Sequence, residues 1–212
     1  MSGILLVPTG SCEQHGPHLP FDTDTRIATA VASAGGELVA PALAYGSSGE
    51  HEEFDGTVSI GHEALRTVLI EFGRSACRWA DKVVFVNAHG GNVPALVSAI
   101  RLLRYEHRET AWFACAPTEG DAHAGHTETS LMLAIAPETV DMGKAAPGNT
   151  TPLEDLMPSL RKGKLREISP NGVLGDPTGA TAEHGRELLD ALVTGLRTAI
   201  ERWQPDSHGR LR

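Results

Sequence analysis

Three short apolar runs, each followed within a few residues by a polar cluster, constrain this chain more than any other feature. They span residues 4–8, 83–86 and 111–116. Val83-Val84-Phe85-Val86 carries no alternating polar residue, the pattern of a strand covered on both faces. Stretches of helical period lie between the runs. Residues 25–34 are Ala-rich and closed by Gly35-Gly36, and residues 62–80 repeat Leu65, Val68, Leu69, Phe72, Ala76 and Trp79. A further helix opens at Asn92 and Pro94 and reaches about Glu106, with Leu96, Val97, Ile100 and Leu103 inward. Residues 37–43 read as one more strand, with Pro41 near its end. The alternation predicts an α/β fold with a mostly parallel central sheet and helices on both faces. The 212 residues suit a single domain, 1–212, without repeats or a break in composition.

The last third is less regular. A helix through Leu131, Met132 and Ile135 ends at Pro137, and residues 139–180 are rich in Gly and Pro. Apolar residues keep recurring there, so an ordered excursion is expected, with a short helix near 153–160. Thr181 can cap a final helix whose buried face is Leu189, Leu192, Leu196, Ile200 and Trp203. Residues 206–212 are expected to fray.

The chemistry starts in Glu13-Gln14-His15-Gly16-Pro17-His18-Leu19-Pro20-Phe21-Asp22-Thr23-Asp24. On an extended backbone Glu13 and His15 project from the same side. Gly16, Pro17 and Pro20 exclude a helix and turn the chain, which can return Asp24 toward the first two. Carboxylate, imidazole and carboxylate suit Zn²⁺, Mn²⁺ or Fe²⁺. Loops leaving the carboxyl ends of parallel strands share one edge of the sheet. Glu13, His15 and Asp24 are therefore expected to converge with His89, and with His123 and Glu128. His51, in the polar loop 45–55, reads equally as a surface or a site residue.

Composition narrows the partners. A net charge of -9 and a pI near 5.5 leave no electrostatic footprint for nucleic acid or an anionic membrane. The apolar run 4–7 is too short for a membrane span or a signal-peptide core. Three scattered cysteines, Cys12, Cys77 and Cys115, argue for a reducing cytoplasm.

With these clusters the chain resembles the creatininase family, cytoplasmic metal-dependent amide hydrolases with a three-layer αβα fold. The resemblance covers nearly the whole chain and rests on Glu13 to Pro20 with Asp24, on Asn87-x-His89-Gly90-Gly91-Asn92, and on His123-Ala124-Gly125 leading to Glu128-Thr129-Ser130. By analogy, Glu13, Asp24 and His89 would hold one divalent ion. His15, Asp24 and Glu128 would hold a second, with Asp24 bridging; the resemblance implies Zn with Fe or Mn. His123 becomes the expected proton carrier to the leaving amine, with His18, His51 and His126 as competitors. His51, Gly90 and Gly91 are the expected substrate contacts. His62, His107, His184 and His208 are expected to face solvent.

Gly91 stands where creatinine hydrolases carry Glu, and no Trp precedes the third motif, so a more open site is expected. Pro147-Gly148-Asn149-Thr150, the run 171–180 and the run 46–56 resemble one peptidase branch of the family. Members of that branch remove a C-terminal Val-Tyr dipeptide from a modified precursor peptide. The alternative is a small-molecule amidohydrolase acting on a creatinine-like lactam or a formamide. Arg161, Lys162, Lys164 and Arg166 could grip a peptide carboxylate or form a solvated face. Family likeness also implies a homo-oligomer, hexameric or similar.

Overall fold

Four parallel strands form the centre of the computed structural model, which describes residues 3–117, 120–160 and 165–212. They are β1 (Ile4–Thr9), β2 (Leu38–Val39), β3 (Lys82–Asn87) and β4 (Thr110–Ala114), in the order β2-β1-β3-β4. Because every strand is parallel, each connection is a helical crossover. The helices are α1 (Thr23–Ala34), α2 (Gly61–Ala76), α3 (Val93–Tyr105), α4 (His126–Ile135), α5 (Leu153–Leu160), α6 (Leu165–Ile168) and α7 (Ala182–Arg202).

The continuous apolar runs divide by alternation into two cores. Leu5, Val7, Val83, Phe85 and Trp112 point to one face, where Leu65 and Leu69 of α2 and Leu96 and Ile100 of α3 cover them. Leu6, Val84, Val86, Ala111 and Phe113 point to the other, beneath Ile27 and Val31 of α1, Leu131 and Met132 of α4, and Leu192 and Leu196 of α7. The result is the expected αβα sandwich. At about 25 cal/mol per Å² of apolar surface, burial on both faces is the main stabilising contribution of β1, β3 and β4.

Register places the site. Thr9 pairs with Asn87, and Asn87 with Ala114, so β1, β3 and β4 end level. Their loops leave one edge together, and the sheet order reverses direction beside β1, where a crevice opens.

Several expectations need correction. β2 is shorter than residues 37–43: Pro41 lacks an N–H, and pairing resumes only at a Thr9–Leu43 bridge. α2 ends at Ala76, and Val68 and Trp79 are exposed despite their helical spacing. The tail does not fray. Trp112 N–H donates to the Gly209 carbonyl (3.0 Å), Leu211 N–H donates to the Trp112 carbonyl (2.8 Å), and Leu211 is buried in the core. The excursion is ordered where described: α5 occupies the expected span, and Thr181 caps α7 by accepting from His184 N–H (3.2 Å). Arg161, Lys162 and Lys164 lie outside the described residues. Arg166 donates to the Glu53 carbonyl and lies over the Phe54 ring. No helix among the described residues is long and apolar enough to cross a membrane.

Candidate metal centre

The segment leaving β1 folds back through backbone pairing. Glu13 N–H donates to the Phe21 carbonyl (3.0 Å) and Val58 N–H to the Cys12 carbonyl (2.8 Å). Phe21 then leads directly into α1, whose second residue is Asp24, where the helix dipole favours a carboxylate. Ser11 Oγ donates to Asp24 Oδ2 (2.7 Å).

Each histidine of the cluster is oriented by the nitrogen that points away from it. His15 Nδ1 meets the Glu13 carbonyl at 3.1 Å, so Nε2 faces Asp24 Oδ1 (3.2 Å) and Glu128 Oε2 (3.8 Å). His89 Nε2 meets the Ser47 carbonyl at 2.9 Å, which turns Nδ1 to Glu13 Oε1 and Asp24 Oδ2, both at 3.2 Å. Such outer hydrogen bonds fix which nitrogen is offered to a ligand. His123 enters from the loop after β4, held by a two-sided backbone pairing with Leu174 of the excursion. Ala124 beside it takes a left-handed conformation (φ 50°), costing about 1 kcal/mol or more. Its N–H then donates to Glu128 Oε2 (2.6 Å).

Two trios therefore each bring three ligand atoms within 4.8 Å of one another: Glu13, Asp24 and His89, and His15, Asp24 and Glu128. Asp24 belongs to both and turns a different oxygen to each histidine. Glu13, His15 and His123 make a third such trio. His51 also joins the cluster, with Nε2 3.5 Å from Glu13 Oε1. His18 is buried nearby, its Nε2 2.8 Å from Thr129 Oγ1, behind Glu128. His126 stands apart against His184, while His62, His107, His184 and His208 are exposed.

Without an ion the charges compensate one another imperfectly. Burial would raise Glu13, yet His89 and His51 hold its carboxyl down at about 2. Burial would also raise Asp24, but His15 and His89 hold it well below the usual carboxylate range. Burial opposes the protonated form of His15, but Asp24, Glu128 and Glu13 raise it to about 10. Burial pushes Glu128 up to about 7 against the pull of His15. Neither oxygen of the fully buried Glu13 has a hydrogen-bond partner. A buried, ionised, unpartnered carboxylate flanked by imidazoles fits a divalent cation better than any state of the side chains alone. The donor set therefore suits the metal chemistry expected from the sequence.

A cavity of about 780 Å³ adjoins Glu128 and Gly90 and runs to Asn149, Leu153 and Leu174 of the excursion. The two glycines differ. Gly90 faces open space, whereas a Cβ on Gly91 would collide with the Ser47 carbonyl and the His89 ring, with Glu50 Oε1 only 2.7 Å away. Gly91 thus permits the packing behind His89 rather than widening the site, which corrects the reading of an open glycine pair.

The sequence profile of the family described as Creatininase, creatinine amidohydrolase, matches residues 1–200. The chain belongs to the creatininase family. Among relatives, the mycofactocin precursor peptide peptidase of Mycobacterium ulcerans (strain Agy99) is 54% identical over 220 residues, covering 98% of this chain and 88% of that protein. The solved structure named Creatininase Mn is 28% identical, with a TM-score of 0.76, over 96% of this chain and 92% of that one. A mutant creatininase of Zn-Zn type is 29% identical, with a TM-score of 0.74 and the same coverage. Creatininase membership and the donor set together make the chain a metal-dependent hydrolase of C–N bonds.

Two residues of this creatininase centre were missed by pattern. Asn92 was expected to cap α3, but its fully buried side chain donates to the Gly10 carbonyl (2.9 Å) and Asn87 Oδ1 (3.1 Å) and accepts from Ser47 N–H (2.9 Å). It ties three loops together. On an extended backbone Gln14 would project opposite to Glu13 and His15, yet it contacts His51 and His123, because the segment is irregular rather than a strand. Its position between two expected ligands was the available signal.

Proposed function

We propose that this hydrolase is a peptidase releasing a C-terminal Val-Tyr dipeptide from the modified mycofactocin precursor peptide. Two divalent ions, Zn with Fe or Mn, would be held by Glu13, Asp24 and His89 and by His15, Asp24 and Glu128. The observation that carries the reading is the cavity joining Glu128 to the excursion. Its volume lies within the roughly 300–1,000 Å³ of ligand clefts, and a creatinine-sized ring would leave most of it empty. Likeness to peptidases over nearly the full chain supports the same substrate class.

Bound there, the ions would polarise the scissile carbonyl and lower the pKa of a water. The side chains account for the proton. His123 Nδ1 faces the cluster, 3.8 Å from Glu13 Oε1, and can take the water's proton as its oxygen bonds to the carbonyl carbon. The C–N bond then breaks, and the proton passes from His123 to the leaving nitrogen. Gly90 gives the chain of the peptide room beside His89. Family likeness supports a cytoplasmic homo-oligomer, hexameric or similar, which light scattering on the purified protein would check.

The test is mass spectrometry of the modified precursor peptide incubated with metal-loaded protein. Release of Val-Tyr is expected, faster than from the unmodified peptide, with little opening of creatinine. Ready hydrolysis of creatinine with the peptide left intact would replace this reading by the small-molecule amidohydrolase.

A further inference from the structure

Gln14 is buried between the two expected ligands Glu13 and His15, and its side-chain hydrogen bonds can be assigned without ambiguity. Gly16 N–H lies 2.9 Å from Oε1 and can only donate, so that atom is the amide oxygen. The amide nitrogen has two hydrogens and three neighbours: the Gly172 carbonyl at 3.2 Å, His51 Nδ1 at 2.9 Å and His123 Nε2 at 3.2 Å. His123 Nε2 lies 2.8 Å from the Gln14 backbone carbonyl, which can only accept. That nitrogen therefore carries a hydrogen and cannot accept another. The two amide hydrogens go to Gly172 and to His51 Nδ1, leaving His51 with its own hydrogen on Nε2.

We infer that Gln14 is a positioning residue that makes two histidines face one space with opposite chemistry, His51 offering a hydrogen on Nε2 and His123 a lone pair on Nδ1. Both atoms look toward Glu13 Oε1, at 3.5 and 3.8 Å, and the two ring centroids are 4.4 Å apart. The roles that follow rest on the amide-hydrolysis reading above. The lone pair of His123 takes the proton of the attacking water, and the N–H of His51 donates to the carbonyl oxygen as it gains negative charge.

The excursion explains its own motif here. Gly172, at φ +77°, supplies the carbonyl that takes one amide hydrogen, and a Cβ at this position would collide with Gln14 Oε1. Asn171-Gly172 is thus part of the device that sets the side chain of Gln14.

The test is ¹⁵N NMR of histidine side chains in the full chain labelled at histidine, metal-free and loaded with Zn²⁺, beside kinetics of Gln14→Glu. In the wild-type protein Nδ1 of His51 should be bare and Nε2 of both histidines protonated. The carboxylate of Gln14→Glu cannot donate, so Nδ1 of His51 should gain a hydrogen, kcat should fall by about 10²-fold, and KM should hold. A hydrogen on His51 Nδ1 in the wild type, or no change at that nitrogen in a folded Gln14→Glu, would overturn the inference. The wild-type spectrum decides the tautomers even if the variant does not fold. Tautomers as assigned in a protein that leaves the peptide intact would remove the peptidase reading and keep the positioning role.

Discussion

Glu13 buries both carboxylate oxygens without a hydrogen-bond donor, and Asp24 turns its two oxygens to different histidines. Residues in such positions should differ in what they cost when neutralised. Asp24→Asn is expected to deplete both ions and Glu13→Gln mainly one, read as metal content per chain after dialysis. An Asp24→Asn chain that kept two ions would remove Asp24 from the bridge. His123→Ala should keep the ions and lower turnover by about 10²–10⁴-fold; loss of metal would instead make His123 a ligand, as its trio with Glu13 and His15 allows. The histidines also make metal uptake pH-dependent. In the metal-free protein His15 is raised to about 10, so it is protonated at neutral pH and must lose that proton before Nε2 can bind. Affinity should rise between pH 6 and 8, with protons released. Titration calorimetry in buffers of different ionisation heat checks this, and binding without proton release would contradict it. The convergence of these residues could be read from the sequence because each follows an apolar strand. Gln14 could not, since alternation holds only where the backbone is a regular strand.

At the scale of elements, the loops matter more than the strands that deliver them. Gly90 and Gly91 are identical in sequence terms, yet one faces open space and the other packs behind His89. Gly90→Ala should retain metal, whereas Gly91→Ala should displace His89 and lose it. Metal analysis of the two variants separates them, and equal retention would show that the loop yields. Asn92 illustrates the same limit: its sequence position fits a helix cap, while its side chain braces loops 10 and 47. Among the described residues, the excursion after α4 supplies no helix to the sandwich core but reaches back to pair with His123 and to cradle Gln14. Its recurring apolar residues made order legible, and Leu156, Leu165 and Leu174 form a small core of their own.

The whole molecule closes through its C-terminal residues. Leu211, expected in a frayed tail, is buried beside β4 and completes the core under α7. Leu211→Ala should destabilise the fold by about 2–5 kcal/mol, the range for truncating a buried leucine. Urea unfolding measures it, and a change near zero would mean the tail detaches in solution. Tail residues carry no period that reveals such docking, because a single leucine against a sheet edge has no neighbours in sequence to repeat it.

The amino-acid order by itself determined the layered α/β plan, the parallel sheet and the edge where polar loops gather, because strand burial and helix period are local properties written every two or three to four residues. It also determined the residue types of the centre. The tertiary structure alone decided which nitrogen of His89 faces inward, that Gly91 is packed and Gly90 free, and that Gln14 joins His51 to His123. Those outcomes depend on carbonyls brought from Ser47 and Gly172, residues distant in the chain, and a hydrogen bond between distant segments leaves no pattern in either one.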